Sequence, residues 1–82
     1  MACAQTSGTV RGVVVEVEGS LDDVTSFTVL VDGEEIGFVP IEGGDYDFPL
    51  SHLRDHLRSG QPVLVTWTRE DGVHHAVALA DG

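Results

Sequence analysis

The chain has 82 residues, enough for one domain with a small core. Its hydrophobic content of 41% is ordinary for a globular protein, and no apolar run approaches the roughly 20 residues of a membrane span. Fourteen acidic residues face four arginines and no lysine, which gives a formal net charge of −10. A field of this sign repels phosphate backbones and favours basic partners, so the charge argues against a general nucleic-acid binder.

The first eight residues are small and polar, without the basic start and apolar stretch of a secretory signal. We interpret residues 1–8 as a disordered leader and residues 9–82 as a single domain. Cys3 is the only cysteine, so an internal disulfide is impossible. These features together predict a cytoplasmic protein.

Five segments alternate between apolar and polar residues and are rich in β-branched side chains. The predicted strands are residues 9–18, 24–31, 34–41, 63–69 and 73–80. The Asp32-Gly33 and Asp71-Gly72 pairs predict tight hairpin turns after the second and fourth strands, because glycine tolerates a positive φ. Phe27 and Phe38 share a strand face with valines and isoleucine, which predicts that both pack in the core.

Two residues predict interruptions in these strands. Gly12 within the first strand favours a bulge or bend of the kind by which small barrels curve. Pro40 has no backbone donor, so we expect the third strand to lose its pairing there and residues 42–47 to form a loop.

A single helix is predicted over Pro49–Arg58. Leu50, Leu53 and Leu57 form a narrow apolar stripe suited to lying across a barrel end. Ser51 is the expected N-cap, and Gly60 is the expected left-handed stop.

The predicted order is β-β-β-α-β-β, in an all-β domain with one short helix. Three strands, a helix and a closing hairpin make the arrangement of a five-stranded OB-like barrel. An SH3-like barrel is the main alternative, but it normally has only a single 3₁₀ turn late in the chain.

Three segments carry a resemblance to a known group of OB domains. They are Gly12-Val13-Val14 in the first strand, Gly37–Pro40 in the third, and Leu57–Val65 leading into the fourth. Over most of Thr9–Ala80 the chain resembles the ribosomal-S1-type and cold-shock-like group. The resemblance implies binding of single-stranded RNA or DNA by aromatic and basic side chains on the second and third strands.

Five side chains are candidate binding residues. Arg11, Arg54, Arg58 and Arg69 would form a basic patch if the fold brought them together, and otherwise they would pair with nearby carboxylates. Trp67 would serve as a partner anchor if it were partly exposed, whereas its alternation with valines predicts a place in the core.

His52 and His56 are four residues apart and share a helix face, a spacing that can ligate zinc or nickel. No third ligand is evident nearby, and the sequence would need His74 or His75 to complete a site. We therefore expect an ordinary boundary face of the helix, with no metal and no cofactor.

Glu42, Asp45 and Asp47 form an acidic stretch broken by glycines. The alternating oxygen ligands and closing glutamate of an EF-hand are absent, so we expect a solvated loop.

No nucleophile elbow, phosphate-binding loop or dinucleotide fingerprint is present, so we expect no enzymatic activity. The sequence predicts a small OB-type binding module that contacts a protein partner or a second copy of itself. A weak binder of single-stranded nucleic acid is the alternative, and a small metal-binding or ligand-binding domain ranks third. No membrane association is expected.

Overall fold

The structure is a computed structural model, and it describes residues 6–20, 24–47 and 49–82. Five strands and one short helix follow the predicted order. They are β1 (Ser7–Gly19), β2 (Val24–Val31), β3 (Glu34–Tyr46), a 3₁₀ turn (Leu50–His52) that leads into α1 (Leu53–Ser59), β4 (Pro62–Glu70) and β5 (Val73–Asp81). No helix in these ranges is long and apolar enough to cross a membrane.

The five strands close into a barrel in the order β1-β2-β3-β5-β4. All neighbours pair antiparallel except β3 and β5, which run parallel because the helix carries the chain across between β3 and β4. This arrangement confirms the prediction of an all-β, OB-like barrel with one short helix between the third and fourth strands.

The core is the barrel interior, and apolar residues from every strand and the helix fill it. Phe27 and Phe38 stack with ring centroids 5.5 Å apart and are almost fully buried, which confirms their predicted place. Val63, Val65 and Trp67 of β4 also point inward. Trp67 therefore packs in the core.

Both predicted hairpin turns are present. Asp32 and Gly33 join β2 to β3 with φ angles of 49° and 83°, and Asp71 and Gly72 join β4 to β5 with φ angles of 52° and 78°. Two consecutive positive φ angles match the twist of the flanking strands.

The expected loss of pairing at Pro40 is confirmed, because the register with β5 is interrupted directly after it, but the prediction that residues 42–47 form a loop is wrong. β3 continues to Tyr46, and its pairing with β5 skips from Pro40 to Asp45. The Tyr46 hydroxyl closes the bulged segment, because it lies 3.0 Å from Ile41 N and 2.7 Å from Ala76 O. Pro40 is tolerated since the bulge interrupts the pairing of β3 with β5 immediately after it.

β1 begins earlier than predicted. Ser7 and Gly8 pair with Thr68 and Trp67 of β4, so these two residues belong to the barrel and not to a leader. Residues 1–5 of the expected leader lie outside the described residues.

Gly12 is not at an irregularity of β1, because the register with β2 shifts between Val14 and Glu16 and again between Glu18 and Gly19. A Cβ atom at Gly12 would instead overlap the carbonyl oxygen of Leu30 and lie 2.7 Å from Cγ1 of Val29. Glycine is needed here because β1 and β2 approach each other closely.

The helix differs from the prediction in its cap and its buried face. Ser51 lies inside the 3₁₀ turn and forms no side-chain cap, whereas Gly60 ends the helix with a φ of 74° as expected. Leu53 is fully buried, but Leu57 is exposed and His56 takes the second inward position. The last turn of the helix therefore places an imidazole in the barrel end.

Candidate functional site

The helix places two histidines one turn apart at the end of the barrel where β5 finishes. His52 ends the 3₁₀ turn, and His56 lies in α1. The ring centroids are 4.9 Å apart and the rings are nearly perpendicular. Asp81, the last residue of β5, completes a cluster whose ligand atoms all lie within 4.8 Å of one another.

His56 is 3% exposed, and both of its ring nitrogens face oxygen atoms. Nδ1 lies 2.9 Å from the Gln61 carbonyl oxygen, and Nε2 lies 2.7 Å from Oδ1 of Asp81. The Gln61 carbonyl can only accept, so Nδ1 carries a hydrogen and Nε2 is the nitrogen directed at the carboxylate.

His52 is half-exposed beside the same carboxylate. Its Nε2 lies 3.5 Å from Oδ1 of Asp81, and its Nδ1 lies 3.3 Å from Oδ2 of Asp55. Arg58 Nη2 lies 2.7 Å from the other Asp55 oxygen. The hydrogen bond from Arg58 holds the pKa of the Asp55 carboxyl below its usual value of 3.8, and His52 lowers it further.

His74 and His75 lie elsewhere in the barrel. They pair with Arg69 and Thr68 in β4, six or seven residues before Asp81 along β5, a separation of roughly 20 Å. His74 packs edge-on against Trp67, with ring centroids 4.8 Å apart. The third residue beside the helix histidines is therefore Asp81, and not His74 or His75.

The candidate arginines are distributed over the barrel. Arg54 Nη2 lies 2.7 Å from the Ser20 carbonyl oxygen, beyond one end of β1. Arg69 lies at the other end, where its backbone nitrogen donates to Thr6. The 13 residues of β1, roughly 40 Å of chain if fully extended, lie between these ends, so Arg54 and Arg69 lie at opposite ends of the strand.

Arg58 lies one helical turn after Arg54 in α1, whereas Arg11 lies in a strand. Arg11 is in β1, in register with Leu64 of β4, whereas Arg58 is engaged with Asp55 on the helix. Trp67 is 9% exposed in the core. Its ring also covers Gly8, where a Cβ would lie 3.2 Å from Cζ2 of the indole.

A groove of about 180 Å³ crosses the outer wall of the barrel. Its centre is a row of residues in register across four strands, Thr9, Thr66, Ala78 and Asp45. The full lining is Thr9, Asp45, Asp47, Leu64, Thr66, Ala78, Leu79 and Ala80.

The groove has chemically different sides. Two hydroxyls, Thr9 Oγ1 and Thr66 Oγ1, lie 3.2 Å apart on one side. The carboxylates of Asp45 and Asp47 are exposed on the other side. Neither carboxylate forms an ion pair with any residue that the structure describes. Ala78 lies between the two sides, and Leu64, Leu79 and Ala80 complete the apolar lining, so the groove suits a ligand with an aliphatic body and a cationic end.

Sequence reasoning missed both the groove and the position of Asp81 beside His52 and His56. The groove collects side chains from four strands, so no short motif reveals it. The parallel register that brings Asp45 beside Ala78 follows the bulge in β3, which the pattern around Pro40 concealed.

Comparison with known proteins gives a likeness of fold only. No protein-family model matches the chain, and no curated protein matches it significantly. A crystal structure of Ag(I)CusF matches with a TM-score of 0.67 and 11% sequence identity, over 93% of this chain and 97% of that chain. The chain therefore has the barrel fold of a small protein whose structure was determined with silver(I).

Proposed function

We propose that this chain is a non-enzymatic binding module that holds a cationic side chain of a protein partner in the groove on its outer wall. The observation that carries the proposal is a pair of carboxylates, Asp45 and Asp47, which form no ion pair with any described residue and lie beside a floor of apolar residues.

The chemistry of the groove fits arginine or lysine. Both side chains combine an apolar stem with a charged head, so the stem would cover Ala78 and Ala80 while the head reaches the carboxylates. A guanidinium can donate two hydrogen bonds to one carboxylate, which makes arginine the better fit. The net charge of −10 would attract a basic partner from a distance and raise its rate of association.

The fold likeness is consistent with a binding role, because the neighbouring barrel carries silver(I). Binding of single-stranded nucleic acid, which the family resemblance implies, would require basic residues on one surface. The separation of Arg54 from Arg69 along β1 argues against that alternative.

The experiment is a titration of labelled protein with a short peptide that carries a single arginine between alanines, followed by amide NMR. We expect chemical-shift changes at Thr9, Thr66 and Ala78, and binding that weakens as salt rises, because charge drives the encounter. The same peptide with citrulline in place of arginine keeps the shape without the charge and should not bind.

Two double variants make a matched pair. Asp45→Asn with Asp47→Asn should weaken peptide binding by about tenfold, the equivalent of one charge-assisted contact. Asp32→Asn with Asp71→Asn removes the same charge at two turns where asparagine tolerates the positive φ, and should change binding by less than about twofold.

If both double variants weaken peptide binding equally, the peptide responds to the net charge of the protein and not to the groove, which would contradict the proposal. Micromolar binding of oligo-U that Arg54→Ala or Arg58→Ala abolishes would favour the nucleic-acid alternative. The acidic field predicts oligo-U binding no tighter than about 10⁻⁴ M at physiological salt.

A further inference from the structure

The cluster of His52, His56 and Asp81 has the composition of a transition-metal site. It offers two imidazole nitrogens and one carboxylate oxygen, all within 4.8 Å of one another. Zinc accepts both ligand types, and sites with three protein ligands leave a fourth tetrahedral position to water. The set has too few oxygen atoms for calcium, which takes six to eight.

The orientation of His56 is that of a metal ligand. Its Nδ1 hydrogen is held by the Gln61 carbonyl oxygen at 2.9 Å, which fixes the ring and directs Nε2 at Asp81. Histidines that bind metals usually donate their other ring hydrogen to a carbonyl or carboxylate in this way. Nε2 and Oδ1 lie 2.7 Å apart, so a metal ion would be held between them in place of this contact.

His52 has a similar outer support. Its Nδ1 lies 3.3 Å from Asp55, and Asp55 is itself held by Arg58 at 2.7 Å. A carboxylate behind a histidine fixes the ring and raises the basicity of the nitrogen on the other side. His52 Nε2 is that other nitrogen, and it lies 3.5 Å from Oδ1 of Asp81.

We propose that His52, His56 and Asp81 bind one Zn²⁺ ion at the end of the barrel, with a water in the fourth position. The ion would join the helical segment to the end of β5. The site shares no residue with the groove on the barrel wall, and the proposal stands independently of the proposed function.

The ligand atoms must adjust to admit the ion. Zinc bonds of about 2.0–2.1 Å place neighbouring tetrahedral ligands about 3.3 Å apart, so the 2.7 Å contact must widen while the 3.5 Å contact already fits. The imidazole nitrogens of His52 and His56, which lie within 4.8 Å of each other, must come to a similar distance. The Asp81 side chain is 71% exposed and can make that adjustment, whereas His56 stays fixed by Gln61.

The types of ligand in the cluster also argue against a soft metal ion. None of the three ligand atoms is sulfur, and imidazole with carboxylate favours zinc over soft ions such as the silver(I) held by the fold neighbour.

The experiment measures zinc binding to protein without a histidine tag by calorimetry, and repeats it with Co²⁺ to record the visible spectrum. We expect one saturable site and the intense absorption of tetrahedral cobalt. His52→Asn and Asp81→Asn should each weaken zinc binding by at least about tenfold, since even outer partners of metal ligands contribute that much. Both residues are partly or largely exposed, so these variants keep the core intact.

His75→Gln is the matched control, because it removes a histidine of β5 far from the cluster. It should leave zinc affinity within about twofold of the wild type, a change well below that of removing a ligand. The absence of a saturable 1:1 site would overturn the proposal, as would equal losses in His52→Asn and His75→Gln. The groove variants at Asp45 and Asp47 should retain zinc binding, which separates this result from the test of the proposed function.

Discussion

The wall of the barrel and its helix-covered end are held together by different kinds of contact. Inside the wall, Phe27 and Phe38 stack in an interior of apolar side chains. At the end, His56 is buried among acceptors, bonded to Gln61 and to Asp81.

The wall and the helix-covered end differ in the substitutions that they tolerate. Apolar burial has no preferred direction, so an interior residue can be exchanged for another of similar size at modest cost. A buried imidazole needs both of its partners, and removing it leaves polar groups without a donor. The wall should therefore respond to lost volume, and the end should respond to lost hydrogen bonds.

The largest expected effect is in the wall. Phe27→Ala should lower the free energy of unfolding by about 3–5 kcal/mol, because it removes a buried aromatic ring and leaves a cavity. Leu30→Ala is the control in the same strand, since Leu30 is exposed, and should cost less than about 1 kcal/mol. Urea denaturation measures both, and similar losses would mean that Phe27 is not part of a packed interior.

Gly12→Ala tests the close approach of β1 and β2. The added methyl would overlap the Leu30 carbonyl oxygen, so the strands must separate at a cost of about 1–3 kcal/mol. Gly37→Ala is the matched control, because no atom of the described residues lies within 4 Å of its Cβ position. Thermal melts should show Gly37→Ala unchanged or slightly stabilised, and a destabilised Gly37→Ala would contradict this packing.

His56→Leu tests the hydrogen bonds at the helix-covered end of the barrel. Leucine can fill the site but leaves the Gln61 carbonyl without its donor, so we expect a loss of about 1–2 kcal/mol. His52→Leu should cost less, because water can replace the contacts of a half-exposed ring. Urea denaturation in the presence of a chelator measures both. A His56→Leu protein as stable as the wild type would mean that the barrel end is held by apolar contacts alone.

The smallest effect belongs to the pair of Asp55 and Arg58. Arg58→Ala should change the melting temperature by no more than the scatter of replicate melts at neutral pH, because the pair is exposed to solvent. The hydrogen bond from Arg58 lowers the pKa of Asp55, so its small contribution is present above the usual value of 3.8 and is lost as the pH falls through the lowered pKa. A difference from the wild type that grows below that pH would contradict this assignment.

The sequence predicted the wall better than the end. Alternation placed Val63, Val65 and Trp67 inside, and two Asp-Gly pairs predicted the hairpins, because these signals are local. The continuation of β3 to Tyr46 was missed because it depends on parallel pairing with β5, which the sequence around Pro40 does not encode.

At the barrel end, helical periodicity favoured Leu57 over His56 as the inward residue. The structure reverses this order because Gln61 and Asp81 supply acceptors for both imidazole nitrogens. Asp81 is 25 residues from His56 along the chain, so no spacing rule predicts their contact. The arrangement of strands β4 and β5 around the helix brings them together.

The most direct test of the zinc site is a ¹⁵N spectrum of the His56 imidazole with and without zinc. We expect Nδ1 to keep its hydrogen throughout, held by the Gln61 carbonyl, while the Nε2 resonance moves to a metal-bound position at one equivalent of zinc. A spectrum in which Nε2 is unmoved by zinc, or in which Nδ1 loses its hydrogen, would contradict the proposed site.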